Sequence, residues 1–368
     1  MNNKLLGFVA CIVSALIGGA IFLFLNLPIP WLLGPIAAIV VGSGLFKLNY
    51  FCPPSIRNIA LVLIGYSMGA SFNSNVLALI VAQLPWMLLM NVITLLFCFF
   101  LSYINSKIAK VDYLTILTGS TPGAFSQMII LGEELEDVNP TIVTLFHVIR
   151  LLMIVLLIPL MVFSPLFDAG NASMPDYIVQ EQVWQWANIF PEGIIFAVVA
   201  VLCAFLGKRM KLPTPYLLGP VIGTAVLCIA GVQSYSLPPA ITDAAQFCIG
   251  CYIGILLKPQ QLANKSTIIA CAILNGLVLI LFSWALSHVL VLLHGIPPVT
   301  SFLSLAPGGM DQMGIVAHEI GAILSLVTCY QLFRTIFILL LMPPVLKLLW
   351  KHKHPLPDDT GPPCQNED

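Results

Sequence analysis

Charge is what this sequence has least of. Lys and Arg number 15 and Asp and Glu 16 in 368 residues, so only 8% of the side chains are charged while 59% are apolar. A soluble domain carries about a quarter charged residues. The polar surface is too small to coat a water-soluble globule, which excludes most soluble enzyme folds and implies an all-α polytopic membrane protein whose first partner is the lipid bilayer. The two signs nearly cancel, to a formal net charge of −1. No basic face is left for phosphates, and no nucleic-acid partner is expected.

Reactive constellations are missing as well. His318-Glu319 starts like the zinc-protease string H-E-x-x-H, but Ala322 stands where the second His belongs. Gly119-Ser-Thr-Pro-Gly123 centres on Thr121 rather than a serine and has no strand before it. His352 and His354 lie in a Pro- and Asp-rich tail, 351–368, expected to be disordered and cytoplasmic. No nucleophile–base pair and no His/Cys/Asp/Glu cluster at metal spacing appears, so neither catalysis, nor a metal, nor a cofactor is expected; H⁺ or Na⁺ coupling is the one ionic role left open. The ten cysteines form no extracellular disulfide pattern. Cys248 and Cys251 sit inside an apolar run without thioredoxin-like context, and the apolar stretch before Cys11 is too short for a signal core.

What the sequence does have is a duplication. Pro30-Trp-Leu-Leu-Gly-Pro35 recurs as Pro215-Tyr-Leu-Leu-Gly-Pro220, and Pro53-Pro54-Ser-Ile as Pro238-Pro239-Ala-Ile, both displaced by 185. Gly65 and Gly69 recur as Gly250 and Gly254, and Thr121-Pro122-Gly123 as Ala306-Pro307-Gly308, in the same register. After one deletion the displacement is 184, which pairs Arg150 with Arg334. The chain thus divides into a first membrane repeat (1–166), an extracytoplasmic polar linker (167–189), a second membrane repeat (190–350) and the tail.

Each repeat holds six apolar segments, at 4–26, 30–48, 55–71, 76–104, 113–131 and 141–165, and at 190–206, 215–231, 240–257, 267–293, 299–317 and 324–349. Most approach the ~20 apolar residues of a spanning helix. The fifth segments carry Pro and Gly in their middles, which breaks a helix. Five spans plus one re-entrant segment per repeat puts 13 of the 15 Lys and Arg on one side, with Arg150 and Arg334 inside helices. That side is cytoplasmic, with both termini inside. An odd span count makes the repeats inverted, as in many secondary transporters. A broken helix that crosses the membrane is the alternative to a hairpin.

The breaks supply the candidate site. Thr121 is expected to cap a helix beginning at Pro122, with Ser304 or Ala306 as its counterpart before Pro307. Free N–H groups at membrane depth make Gly123 and Gly308 natural neighbours of a small anion or a coupling ion. Ser126 and Gln127 follow the first break, Asp311 and Gln312 the second. Asp311 is the acid in a segment core, read either as an ion site or as a helix-end cap. Arg150 and Arg334 fall about mid-membrane, on polar stripes with Thr144 and His147, and with Thr328 and Gln331. Each guanidinium either braces loop carbonyls or takes a substrate carboxylate. Gly65-x-x-x-Gly69 and Gly250-x-x-x-Gly254 read as close helix packing.

Through the Leu-Leu-Gly-Pro motifs at 32–35 and 217–220, the Thr-Pro-Gly-Ala and Ala-Pro-Gly-Gly segments at 121–124 and 306–309, and the helices bearing Arg150 and Arg334, the sequence resembles the AbrB family of bacterial membrane proteins, which is distinct from the soluble DNA-binding AbrB. Thr121 and Ala124 depart from the family's [SA]-P-G-G pattern. The resemblance implies an inner-membrane protein, a transporter or a regulator of gene expression. Taken with the duplication, the leading expectation is a secondary transporter of a small anionic solute by alternating access. The alternative is a membrane regulator or sensor that moves no solute. Homo-oligomer formation is left open.

Overall fold

A computed structural model describes residues 2–44, 48–123, 128, 137–164, 167, 192–212, 214–256 and 266–353. The linker, apart from Phe167, and the tail beyond Lys353 lie outside these residues, as do Ser126 and Gln127.

Thirteen helices and no strand are found among the described residues. In chain order they are α1 (Asn2–Phe24), α2 (Pro30–Gly44), α3 (Pro54–Ala70), α4 (Ser74–Ala109), α5 (Tyr113–Ser120), α6 (Pro140–Val162), α7 (Glu192–Arg209), α8 (Pro215–Ile229), α9 (Pro239–Leu256), α10 (Ser266–His294), α11 (Pro298–Leu305), α12 (Met310–Ile320) and α13 (Leu324–Lys353). Six of them, α1, α4, α6, α9, α10 and α13, are long and apolar enough to cross a membrane. Local chemistry sets the ends. Asn73 and Asn139 cap α4 and α6 by accepting from the N–H groups of Val76 (2.8 Å) and Thr141 (3.1 Å), and Pro140 follows its cap at the first helical position. Four of the ten expected spans, α2, α3, α7 and α8, do not meet that measure of length and apolarity; α2 and α8 are the shortest, with 15 residues each, about 22 Å at 1.5 Å per residue.

The glycine pairs work between the repeats. α3 packs on α8, and α9 on α2. A methyl group added to Gly65 would lie 2.7 Å from the Leu217 carbonyl oxygen and 3.0 Å from Pro220 Cβ. One added to Gly250 would lie 2.6 Å from the Leu32 carbonyl oxygen and 3.2 Å from Pro35 Cβ. Each Gly-x-x-x-Gly groove is therefore filled by the other repeat's Leu-Leu-Gly-Pro helix. Backbone cannot retreat as a flexible side chain can. Gly65→Ala and Gly250→Ala are each expected to lower stability by about 1–3 kcal/mol, the usual cost of overpacking, and by similar amounts. Thermal unfolding of the purified variants checks this.

The helices sort into two bodies. α1–α3 pack with α7–α9, and α4–α6 with α10–α13. Across the seam, α3 meets α12 and α13. In the second body Phe97 stacks on Phe282 at 3.8 Å between centroids and 7° between planes. These two residues are 185 apart, so a side chain stacks on its own repeat counterpart. Asn105 Nδ2 donates to Asn275 Oδ1 at 3.1 Å between the same two helices.

In the second repeat the fifth segment is a pair of half-helices, α11 and α12, around residues 306–309. Its ends come back together, because the Ile323 N–H donates to Thr300 Oγ1 at 3.1 Å. The first repeat has the counterpart bond, Asn139 N–H to Thr115 Oγ1 at 3.0 Å. This is the closure of a hairpin, with its tip at the Pro-Gly sequence.

Candidate functional site

Each tip is held by its own repeat's arginine. Arg334, 4% exposed on α13, donates from Nη1 to the carbonyls of Leu305 (3.2 Å) and Ala306 (2.6 Å), and from Nη2 to Gly308 (2.7 Å) and to Gln331 Oε1. Gln331 adds its own amide donors to Leu303 (2.7 Å) and Ala306 (3.2 Å). Arg150, 5% exposed on α6, donates from Nη1 to Gly119 (3.2 Å) and Ser120 (2.9 Å), and its other guanidinium nitrogens are not engaged among the described residues. Both arginines brace the breaks, one of the two roles expected of them.

The capping expectations need revision. Thr121 ends α5 rather than opening a helix at Pro122: its N–H and hydroxyl both donate to the Leu117 carbonyl, the hydroxyl at 2.8 Å. Residues 124–127, on the far side of this break, lie outside the described residues. In the second repeat neither Ser304 nor Ala306 is the N-cap. Ser304 lies within α11, Ala306 closes that helix, and Gly309 caps α12 in extended backbone. The proline falls inside the break because the chain needs the residues between Ala306 and Gly309 to reverse direction. The two tip glycines serve different needs. Gly123 has φ +96°, a left-handed conformation that favours glycine, whereas Gly308 is confined by space, since an added methyl would lie 2.9 Å from Met313 Cε and 3.2 Å from Ile154 Cγ2.

A cavity of about 260 Å³ opens on the seam. From the hairpin body it takes Gly123, Arg150, Gly308, Asp311 and Gln312, so five of the nine expected site residues meet there. From the other body it takes α8 at Thr214 to Leu218, α9 at Ile249 to Leu256, and Arg57 of α3. Thr121 and Arg334 do not line it: both are buried behind the tips. Asp311 stands in the first turn of α12, with its carboxylate facing the N–H groups of its own residue and of Gln312, and Arg57 is the cation whose field reaches it. This is favourable at the positive end of a helix. Gln312, 5% exposed, keeps Oε1 without a partner among the described residues.

Arg57 and Tyr252 were not anticipated as site residues. The Arg57 guanidinium lies 4.5 Å from the Tyr252 ring centroid, a cation–π contact at the cavity wall. Among the described residues the ion pair found is His318–Glu319 at 3.8 Å, and none of the described acids pairs directly with Arg150 or Arg334. Among the described lining residues two arginines stand against one aspartate, a net positive charge.

Apolar helices of membrane-crossing length, two interrupted hairpins and a cavity between two bodies define an α-helical protein of membrane type. A family model described as "Transition state regulatory protein AbrB" matches residues 31–350, and the chain belongs to the AbrB family; its size and apolar helices fit the membrane branch. It is similar to "Uncharacterized protein YhjN" of Bacillus subtilis (strain 168), 25% identical over 310 residues covering 80% of this chain and 78% of that one. It is also similar to "Putative regulator AbrB" of Escherichia coli (strain K12), 23% identical over 339 residues covering 92% and 95%.

Proposed function

We propose that this protein is a secondary transporter that carries a small anionic solute across the cytoplasmic membrane by alternating access. The observation that carries the reading is the cavity's place: it lies on the seam between the two bodies and is walled by both hairpin tips. Pro-Gly backbone at membrane depth is tolerated where it lines a wet cavity, and the guanidinium of Arg150, which pairs with no acid among the described residues, selects for negative charge. In this reading the repeats are inverted in the bilayer. The cavity reaches toward Arg57, exposed Thr214 and Leu256, all next to the Lys- and Arg-bearing connections. By the charge rule that end faces the cytoplasm, and the conformation is inward-facing. Asp311, the carboxylate among the lining residues, is assigned the coupling H⁺ or Na⁺.

Proteoliposomes on a solid-supported membrane test this. A panel of organic anions is expected to include one that elicits current, with Arg150→Ala silent and Asp311→Asn losing the dependence on pH or Na⁺. If no anion moves charge or label under any gradient, the transport reading is abandoned.

The name of the Escherichia coli relative favours a second reading, a membrane regulator that moves no solute. Removal of residues 354–368 separates the two: a signalling role is lost with that segment, whereas transport persists.

A further inference from the structure

The cavity's walls specify more than charge. It is built largely of aliphatic side chains, among them Ile154, Leu217, Leu218 and Ile253. Its 260 Å³ falls just below the range of about 300–1,000 Å³ of pockets that take drug-sized ligands. Water in such a chamber gains little, and a compact apolar group would gain the hydrophobic term on entering. Its charged groups are Arg57, Arg150 and Asp311. At the tips, Arg150 presents donors that no carbonyl among the described residues uses, and Gln312 lines the cavity with its Oε1 buried. At the mouth, Arg57 lies over Tyr252.

The charge inventory then decides among solutes. Asp311 stands at the positive end of α12, and two arginines, Arg57 and Arg150, share the lining with it, so the cavity does not require an ammonium group. A guanidinium with free donors in an apolar chamber takes a carboxylate by a charge-assisted fork. A second carboxylate would have to lie against the aliphatic wall, where an unpaired charge is costly.

Resting on the transporter reading above, we infer that the solute is an amphipathic monocarboxylate, with its carboxylate on Arg150, its apolar body between α6, α8 and α9, and Arg57 with Tyr252 as the residues that admit and select it.

Binding to the purified full-length protein tests this separately from transport. 3-Phenylpropionate is compared with its amide, with a dicarboxylate of similar length (suberate) and with phenylalanine, by isothermal titration and by thermal unfolding. The acid is expected to bind and to raise the unfolding temperature. The amide, the dicarboxylate and the zwitterion are each expected to bind about tenfold more weakly or worse. Arg150→Lys is expected to weaken the acid by about tenfold, since an ammonium cannot reproduce the fork. Arg57→Gln, a change at a half-buried position, is expected to weaken it similarly while leaving the unliganded unfolding temperature unchanged. An amide as good as the acid, a dicarboxylate or amino acid that binds more tightly, no binding by any of the four, or an Arg57→Gln variant with unaltered affinity overturns the inference. If the acid binds as described but no current follows in proteoliposomes, the solute class stands and transport falls. If current is carried by dicarboxylates or amino acids alone, transport stands and the class falls.

Discussion

Arg334→Ala is expected to destabilise the protein by about 3–5 kcal/mol and to deplete it from the membrane. The guanidinium satisfies the Leu305, Ala306 and Gly308 carbonyls and the Gln331 side-chain oxygen, and Leu305, Ala306, Gln331 and Arg334 itself are all buried. Each acceptor orphaned in such a place costs roughly 1–3 kcal/mol, and the partners available to a partly unfolded chain in lipid return some of that. Arg334→Lys is expected to recover only part, because one ammonium cannot span three carbonyls at the angles a planar fork reaches. Arg150→Ala removes donors from two carbonyls, Gly119 and Ser120, and its stability loss is expected to be smaller, about 1–3 kcal/mol. Its larger consequence falls on the solute, which loses its anchor. Unfolding temperatures and membrane abundance of the three variants, set beside ligand-induced stabilisation, check the contrast. An Arg334→Ala protein as stable as its parent would mean that the tip holds itself.

The second large effect concerns movement. Met68 of α3 lies against Gly314 of α12, where an added methyl would be 2.6 Å from Met68 Cε, so the two bodies touch at that point. Met68→Cys combined with Gly314→Cys, in a chain whose native cysteines are replaced, is expected to be bridged by mercuric ion. Flux should then fall to the level of empty liposomes, return when thiol is added, and leave binding from the open side intact. Full flux through a chain shown to be bridged would mean that the seam does not move.

Much of this arrangement can be read from the residues before any fold is known. The duplication, the two Pro-Gly interruptions and the arginines set to reach them follow from spacing along single helices, where 1.5 Å per residue turns sequence distance into depth. The glycine pairs read correctly as packing surfaces for the same reason. Their partners do not, since Gly65 meets Leu217 and Gly250 meets Leu32 through contacts that no local pattern encodes. Arg57 illustrates a different gap. As a lone cation at the start of a helix it counts toward the cytoplasmic charge, and its place over Tyr252 emerges only when α3 and α9 come together. The unequal bracing of the tips had a visible signal that composition alone did not flag. Gln331 and His147 occupy equivalent positions, and the glutamine amide reaches the tip carbonyls of its own repeat. Ser126 and Gln127 lie outside the described residues, so the comparison of the two breaks stops at Gly123 in the first repeat.

The crossed glycine grooves also constrain how the molecule is made. Gly65 leaves the ribosome about 150 residues before Leu217, the residue whose carbonyl fills its groove. At roughly 5–20 residues per second, α3 waits about 8–30 s for its partner. Through that interval the newborn amino-terminal half holds an empty slot facing lipid or an insertion chaperone, and it cannot mature alone. Two half-length polypeptides synthesised separately should therefore survive only when both are present together, each serving as the other's template.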